Sequence, residues 1–397
     1  MSHATAPAGP LSGFKIFEAT AFIAAPLATM SLAQLGAQVV RFDAPEGGLD
    51  YRRWPLAASG TSLYWSMLNR GKASTTLDLR AAEGRERAAE LIAATPGGGV
   101  FVTNLPTKDA LSPAQLLKRD PRTIIVTLDG SPDGMSAIDY TVHAACGAAM
   151  MTGPGNHQGP INNAVPVWDI ICGRTLAMGL LAAELERSRT GKGQHLALSL
   201  SDIAMECMAN VGILAETELT GAPRARDGNW VYGSFGRDFR SADGRWFMVT
   251  AVTRKQWRAL IAATGLDADI ARLEARSGRR FDTDPEIYAE RHAIGALIEA
   301  WAATRSLAQI SQAFAGTAIC WSAYRDTSQL LVEDPRASTD NPLFVRQAHP
   351  GLPAVLTARS PLRFSNHGVL PPGIAPNLGA QTRAVLGTAD TDLKECP

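Results

Sequence analysis

The chain has 397 residues, with 38 Lys and Arg against 38 Asp and Glu and a formal net charge of zero. Apolar residues make up 46% and charged residues 19%, which excludes a disordered chain, and the length exceeds the about 250–300 residues at which one core stops growing. The neutral total supplies no electrostatic attraction for nucleic acid or an anionic membrane, so neither is expected as a partner.

The opening MSHATAPAGP lacks the basic-then-apolar layout of a signal peptide and reads as a lead-in. Phe14–Phe17 reads as a strand. Residues 19–40 carry no charge, but Pro26, Gln34, Gly36 and Gln38 divide them into a helix and a second strand, Gln38–Phe42, rather than a membrane span. Helices over Glu83–Ala94 and Pro113–Lys118 alternate with strands Val100–Thr103 and Thr123–Leu128, the pattern of βαβ units and a mostly parallel sheet. A long helix is expected from Asp169 to Arg189, then a strand over His195–Leu200 and a helix over Asp202–Leu219. Gly221–Asn229 is a turn-rich linker, and the pattern changes after it. A hairpin turns at Ala242-Asp243-Gly244, and helices follow at Arg254–Thr264 and Ile287–Thr304. The expected fold class is α/β: a Rossmann-like, mostly parallel sheet in a large split domain (11–220) plus a smaller α+β domain (225–330). A proline-rich C-terminal segment (331–397) returns to the large domain.

Five cysteines (Cys146, Cys172, Cys207, Cys320, Cys396) show no CxxC or CxxH spacing, so neither a disulfide framework nor a zinc site is indicated and a reducing cytoplasm is expected. No metal site is expected, because the seven histidines form no ligand pair on a helix face. The turn after the first strand, Glu18 to Pro26, contains no glycine. A dinucleotide pyrophosphate needs glycine there, so NAD(P) and FAD are disfavoured and Asp43 reads as an ordinary strand-end acid. Gly233-Ser234-Phe235-Gly236 is not the GxSxG of a hydrolase.

Two carboxylates flank the acid-free stretch Met151–Asn156: Asp139 and Asp169. Asp169 opens the long helix. It reads first as an N-cap, held ionised by the helix dipole, a role compatible with that of a nucleophile toward an activated acyl group. Asp139 reads as a turn or cap residue with the same second possibility. The basic clusters at Arg52-Arg53 and Arg70-Gly71-Lys72 read as surface charge or as clamps for phosphate or carboxylate at the carboxyl ends of strands.

Taken in order, Leu11-Ser12-Gly13, Ala24-Ala25-Pro26, Leu35–Val40, Asn69–Ser74, Thr76–Leu79, Asp169–Gly173 and Arg189–Gln194 resemble the class III CoA transferases, the CaiB/BaiF family. The likeness runs from about residue 11 to the end. Gly47–Pro55, Ile138–Val142, Tyr232–Phe239 and Ser338–Pro342 look like those of an isomerase subgroup, which moves CoA within one molecule.

The resemblance implies a CoA thioester as substrate, an aspartate as covalent nucleophile, no prosthetic group, and an interlocked homodimer. Pro166-Val167-Trp168-Asp169 matches the subgroup's acid-bearing motif and assigns the nucleophile to Asp169. Ile138 stands where related racemases have histidine. CoA contacts carry over to Phe22, Ile23, Ala24, Leu77, Arg80 and Asn104. Ala44 stands where many members have an arginine, so Arg41, Lys72 or Arg80 is expected at the nucleotide phosphates. Arg52 or Arg53 is expected to hold the unreacted carboxylate. An intermolecular CoA transferase and a non-catalytic acyl-CoA-binding protein are the alternatives.

Overall fold

The computed structural model describes residues 9–387, so most of the N-terminal lead-in and Cys396 lie outside the described residues. The chain divides into two compact units. One comprises residues up to Cys146, Asn162–Leu219, and Pro335 onward; the other comprises Gly147–Ile161 and Thr220–Asp334. The sequence reading kept Gly147–Ile161 inside the large domain, and that boundary is corrected. The reason is Arg226, whose guanidinium donates to the carbonyl oxygens of Met150 (2.6 Å), His157 (3.0 Å) and Ala149 (3.2 Å).

The larger unit begins with β1 (Lys15–Ala19), α1 (Ala24–Ala33), β2 (Gln38–Asp43), α2 (Leu63–Leu68), β3 (Lys72–Thr76), α3 (Ala82–Ala93), β4 (Val100–Thr103), α4 (Pro113–Arg119), β5 (Ile124–Asp129) and α5 (Asp139–Ala145). The short α6 (Ala148–Met151) belongs to the other unit, and α7 (Val167–Thr190), β6 (His195–Ser199), α8 (Leu200–Asn210) and α9 (Ile213–Thr220) follow. The helix expected over Asp202–Leu219 is therefore broken at Val211-Gly212, where Gly212 takes a positive φ of 79°.

The six strands form one parallel sheet in the order β3-β2-β1-β4-β5-β6, the doubly wound arrangement that right-handed crossovers produce. Its inner strands are buried on both faces, which is why Val100-Phe101-Val102 and Ile124-Ile125-Val126 are continuous apolar runs. On one face Phe17, Val40, Phe42 and Phe101 pack with Ala88, Ala89 and Ile92 of α3. On the other, α1 lies against α7. Helix α1 is buried from Ala24 to Leu32, as expected of a helix that is apolar on every side.

Strand β3 is the sheet edge, and the C-terminal segment covers it. Ser74 N donates to Gln381 Oε1 (2.8 Å), Gln381 N to Ser74 O (2.9 Å), and Thr76 N to Thr382 Oγ1 (2.9 Å). An edge strand otherwise presents a row of unpaired backbone groups. The smaller unit has its own antiparallel sheet of β7 (Phe235–Arg240), β8 (Trp246–Ala251) and β9 (Cys320–Ala323). Phe247, Val249 and Ala251 alternate inward and join Phe235, Phe239, Trp257 and Ile294 in a separate core.

At the carboxyl ends of β1–β3 the core holds charges. Glu18 is fully buried and meets Arg41 Nη1 and Lys72 Nζ, both at 2.9 Å, while Arg41 Nε reaches Asp43 at 2.9 Å. Further donors are occupied as well. Lys72 donates to Pro26 O (2.9 Å) and Asn69 Oδ1 (3.0 Å), Arg41 to Thr20 O (3.1 Å), and Thr29 Oγ1 to Glu18. Burial pulls Lys72 down to about 8 against the hold of Glu18. For Glu18, burial opposes the charge, but Lys72 and Arg41 outweigh it and keep its carboxyl below the usual range. Replacing Glu18 with Gln removes the only carboxylate among the described residues that pairs with Lys72. We expect a loss of about 3–5 kcal/mol, measured as a lower denaturant midpoint at unchanged slope.

Candidate active site

In an open parallel sheet, the crevice for ligands lies where neighbouring strands send their crossovers in opposite directions. Here that point falls between β1 and β4. The turn leaving β1 is fixed from both sides. Asn104, just past β4, accepts from Ala21 N and donates to Ala21 O, each at 2.8 Å. The Asp50 carboxylate accepts from Phe22 N at 3.0 and 3.1 Å. Phe22 takes a positive φ of 69°, a strained conformation for a bulky residue that these contacts hold in place. Asp50 thus occupies an amide that a glycine-rich turn would offer to pyrophosphate. Burial raises the Asp50 carboxyl, with Arg41 and the Phe22 amide acting the other way.

Helix α7 delivers Asp169 to the same crevice. Gly173 makes this possible, since a Cβ there would stand 2.6 Å from Ala24 O. Glycine lets α7 approach the first turn of α1 closely, so the N-terminal ends of two helices border one cavity. That cavity has a volume of about 340 Å³, and its lining includes Phe22, Ala24, Arg53, Tyr64, Asn104 and Asp169.

The long helix was expected to start with Asp169 as its cap. Instead it starts at Val167, with Pro166 at the cap position offering no side-chain bond. The cap comes from elsewhere: Asp139 Oδ2, on α5, accepts from Trp168 N (2.8 Å) and Asp169 N (3.1 Å). Trp168 Nε1 donates to His143 Nδ1, also on α5, at 3.2 Å.

The Asp169 carboxylate accepts no hydrogen bond from any described residue and lines the cavity. Burial first, and the Asp139 carboxylate second, push it up to about 6, with Arg53 pulling the other way. The dipole effect expected from the sequence is outweighed by desolvation and like charge. At neutral pH the group remains mostly ionised and more basic than an ordinary aspartate. One turn on, Cys172 is held as a thiol, pushed up to about 12 by burial and by Asp169. Of the groups lining the cavity, this unshared carboxylate has the chemistry a nucleophile needs.

Arg53 faces it. The guanidinium lies 4.9 Å from the Phe22 ring and 5.0 Å from the Tyr64 ring. It donates no hydrogen bond to a described residue, and its Nη1 is buried without a partner. A cation in that condition is suited to an anionic ligand.

The structure brings Phe22, Ile23, Ala24, Asn104, Arg53 and Asp169 together and separates the other predicted residues. Arg52 lies in a different surface hollow with Ser59 and Pro350, because successive residues of the loop point apart. Arg41 and Lys72 are corrected: both are buried and committed to Glu18 and its neighbours, out of reach of a phosphate. Leu77 and Arg80 line a second cavity of about 610 Å³ with Ala19, Phe42, Leu105 and Lys108. Arg80 is exposed and paired with Glu46 and Asp78. The two cavities meet the β4 end on either side, at Asn104 in one and at Thr103 and Leu105 in the other.

Sequence reasoning passed over Tyr64, Asp50, His143 and Gly173. Asp139 and His143 lie one helical turn apart in Asp139-Tyr140-Thr141-Val142-His143, a spacing that signals a shared face. Asp50 and Tyr64 had no local signal, since their partners are distant in the chain.

A family model described as CoA-transferase family III matches residues 11–382. The chain is 42% identical to a 2-methylfumaryl-CoA isomerase of Chloroflexus aurantiacus over 95% of its own length and 93% of that protein's. It is 30% identical to a succinate–glutarate CoA-transferase of Agrobacterium fabrum, over 55% of this chain and 58% of that one. A crystal structure of a CAIB/BAIF family protein from Brucella suis shares the fold with a TM-score of 0.76 at 24% identity, covering 95% of this chain and 98% of its own.

Replacing Gly173 with Ala puts a methyl group against backbone, where no side chain can give way. We expect a loss of about 1–3 kcal/mol, seen in thermal unfolding, together with a larger fractional loss of activity.

Proposed function

The chain belongs to the CoA-transferase family III, and from that membership we propose that it is an isomerase converting 2-methylfumaryl-CoA (mesaconyl-C1-CoA) to 3-methylfumaryl-CoA (mesaconyl-C4-CoA). The observation that carries this reading is the likeness to the Chloroflexus isomerase along nearly the full length of both chains. The geometry of Asp169 and Arg53 supports it.

Asp169 is the nucleophile. Its carboxylate attacks the thioester carbonyl at C1, forming a mixed anhydride and releasing CoA thiolate. The thiolate attacks the aspartyl carbonyl of the anhydride, giving an aspartyl-CoA thioester and free mesaconate. After the acid turns within the site, its C4 carboxylate attacks this thioester and again expels the thiolate. Attack of the thiolate on C4 of the second anhydride gives product and regenerates the Asp169 carboxylate. Each step exchanges a carboxylate and a thiolate at an acyl carbon, so CoA serves as part of the substrate and the scheme uses no prosthetic group.

Arg53 holds the carboxylate that is not reacting, first at C4 and later at C1. Helices leave their first amides unpaired, so the first turn of α1 at Ala24 offers donors to the oxyanions, worth about 3–4 kcal/mol per well-placed donor. Keeping the free acid in the site makes its return intramolecular, an advantage of up to about 7–11 kcal/mol. The larger cavity, lined by Leu77, Arg80 and Lys108, takes the nucleotide end of CoA, with Phe22, Ile23, Ala24 and Asn104 along the path to Asp169.

The same reading includes a homodimer in the cytoplasm. Met178 and Leu185 sit seven residues apart on α7 and stand about two-thirds exposed (66% and 61%), an apolar stripe that a second subunit would cover. Among the described residues no helix is long and apolar enough to cross a membrane.

Replacing Asp169 with Ala should abolish turnover and the covalent adduct that hydroxylamine or borohydride traps from mesaconyl-CoA and mass spectrometry detects. Absence of that adduct in the unsubstituted protein would leave only acyl-CoA binding. Isotope-labelled free mesaconate should not enter the product; its incorporation would mean an intermolecular transferase. Because attack requires the ionised Asp169, whose carboxyl titrates near 6, kcat/KM should be full above that pH and fall as pH drops through it. Arg53→Ala should raise KM or lower kcat by about 10–100-fold for the dicarboxylic substrate, while a monocarboxylic acyl-CoA loses little.

A further inference from the structure

We infer that Asp139 is the positioning residue of the nucleophile: its carboxylate, reaching across from α5, caps the helix that carries Asp169 and fixes where that side chain can stand. The inference rests on the reading of Asp169 as the attacking group.

Helix α7 has no cap of its own, because Pro166 precedes it. One oxygen of Asp139 takes the amides of both Trp168 and Asp169, so the backbone of the nucleophile itself is tied to α5. One turn along α5, His143 accepts from the Trp168 indole. These bonds grip consecutive residues of α7, two through the backbone and one through a side chain. Rotation of the first turn is thereby blocked, and only the side-chain torsions of Asp169 remain free.

Asp139 is itself buried, with 4% exposure, and its bonding oxygen faces amides. It is a poor candidate for attack, although it borders the same cavity. The Asp139 carboxylate beside Asp169 raises that neighbour's carboxyl, which makes the nucleophile more basic. A more basic carboxylate is the better acyl acceptor while it stays ionised. The other charged or titratable groups around Asp169 are Tyr140 on α5, Arg53 and Tyr64 from the β2–β3 connection, Asp129 at the end of β5, and Cys172 on α7. Two carboxylates, one with its acceptor oxygen filled and one with none, thus divide the work of holding and attacking.

The test compares Asp139→Asn, which keeps an acceptor oxygen without the charge, with Asp139→Ala, which loses both. Rapid-quench mass spectrometry measures adduct formation from mesaconyl-CoA across pH, and carboxyl-carbon NMR, assigned with Asp169→Asn, follows the titration of Asp169. In Asp139→Ala we expect the adduct still on Asp169 but about a hundredfold slower, with apparent substrate affinity within about threefold. Asp139→Asn should be faster than Asp139→Ala, and its Asp169 titration should move down by about half a unit or more. Adduct formation at the unsubstituted rate in Asp139→Ala overturns the inference. So does an Asp139→Asn variant as slow as Asp139→Ala with the Asp169 titration unmoved. If the unsubstituted protein forms no adduct, the functional reading fails, while the NMR titrations still decide whether Asp139 governs the Asp169 carboxyl.

Discussion

The buried pairing of Glu18 with Arg41 and Lys72 is the constraint around which the carboxyl end of the sheet is arranged. A carboxylate at the end of a central strand, fully out of water, is tolerable only when its charge and lone pairs are met. The groups that meet it come from β2, β3 and α1. The same cations also bond Thr20 O and Pro26 O, which bracket the turn from β1 into α1. Neutralising the interior charge and setting the shape of the ligand turn are therefore one act of packing. This also explains why a chain with zero net charge has an unpaired guanidinium at its cavity: Arg41 and Lys72 are consumed internally, and Arg53 is not.

Around that frame, chemistry is assigned by environment rather than by residue type. Asp50, Asp139 and Asp169 all stand near the crevice, yet each has different partners. Asp50 holds a strained turn through Phe22 N, Asp139 holds a helix end, and Asp169 holds nothing. Carboxylates in contrasting surroundings take contrasting roles, and here the contrast is between filled and vacant acceptor oxygens. The residue free to react is the one the scaffold does not use.

Much of the frame was legible in the chain. The strands announced themselves because buried parallel strands must be apolar throughout, and the glycine-free turn after β1 is held by Asp50 at its Phe22 amide. The motif order carried the family. The failures share a cause. Arg41 and Lys72 looked like free cations because Glu18, which binds both, lies 23 and 54 positions away and meets them only in the folded sheet. Asp169 looked like its own cap because nothing in Pro166–Asp169 signals a carboxylate arriving from Asp139. Gly147–Ile161 looked like part of the first unit because its ties run to Arg226. Local signals reveal elements; pairings across long sequence separations stay hidden.

The strip that seals β3 has a temporal side. The bond from Ser74 N to Gln381 spans 307 positions, so the edge of the sheet is completed only by residues made long after it. At about 5–20 residues per second, synthesis of that interval takes about 15–60 s. For that time the nascent chain carries a finished edge strand with no cover, open to any other strand that meets it. A chain cut short after the smaller unit would have both cores encoded and its seam unclosed, a state in which aggregation competes with completion.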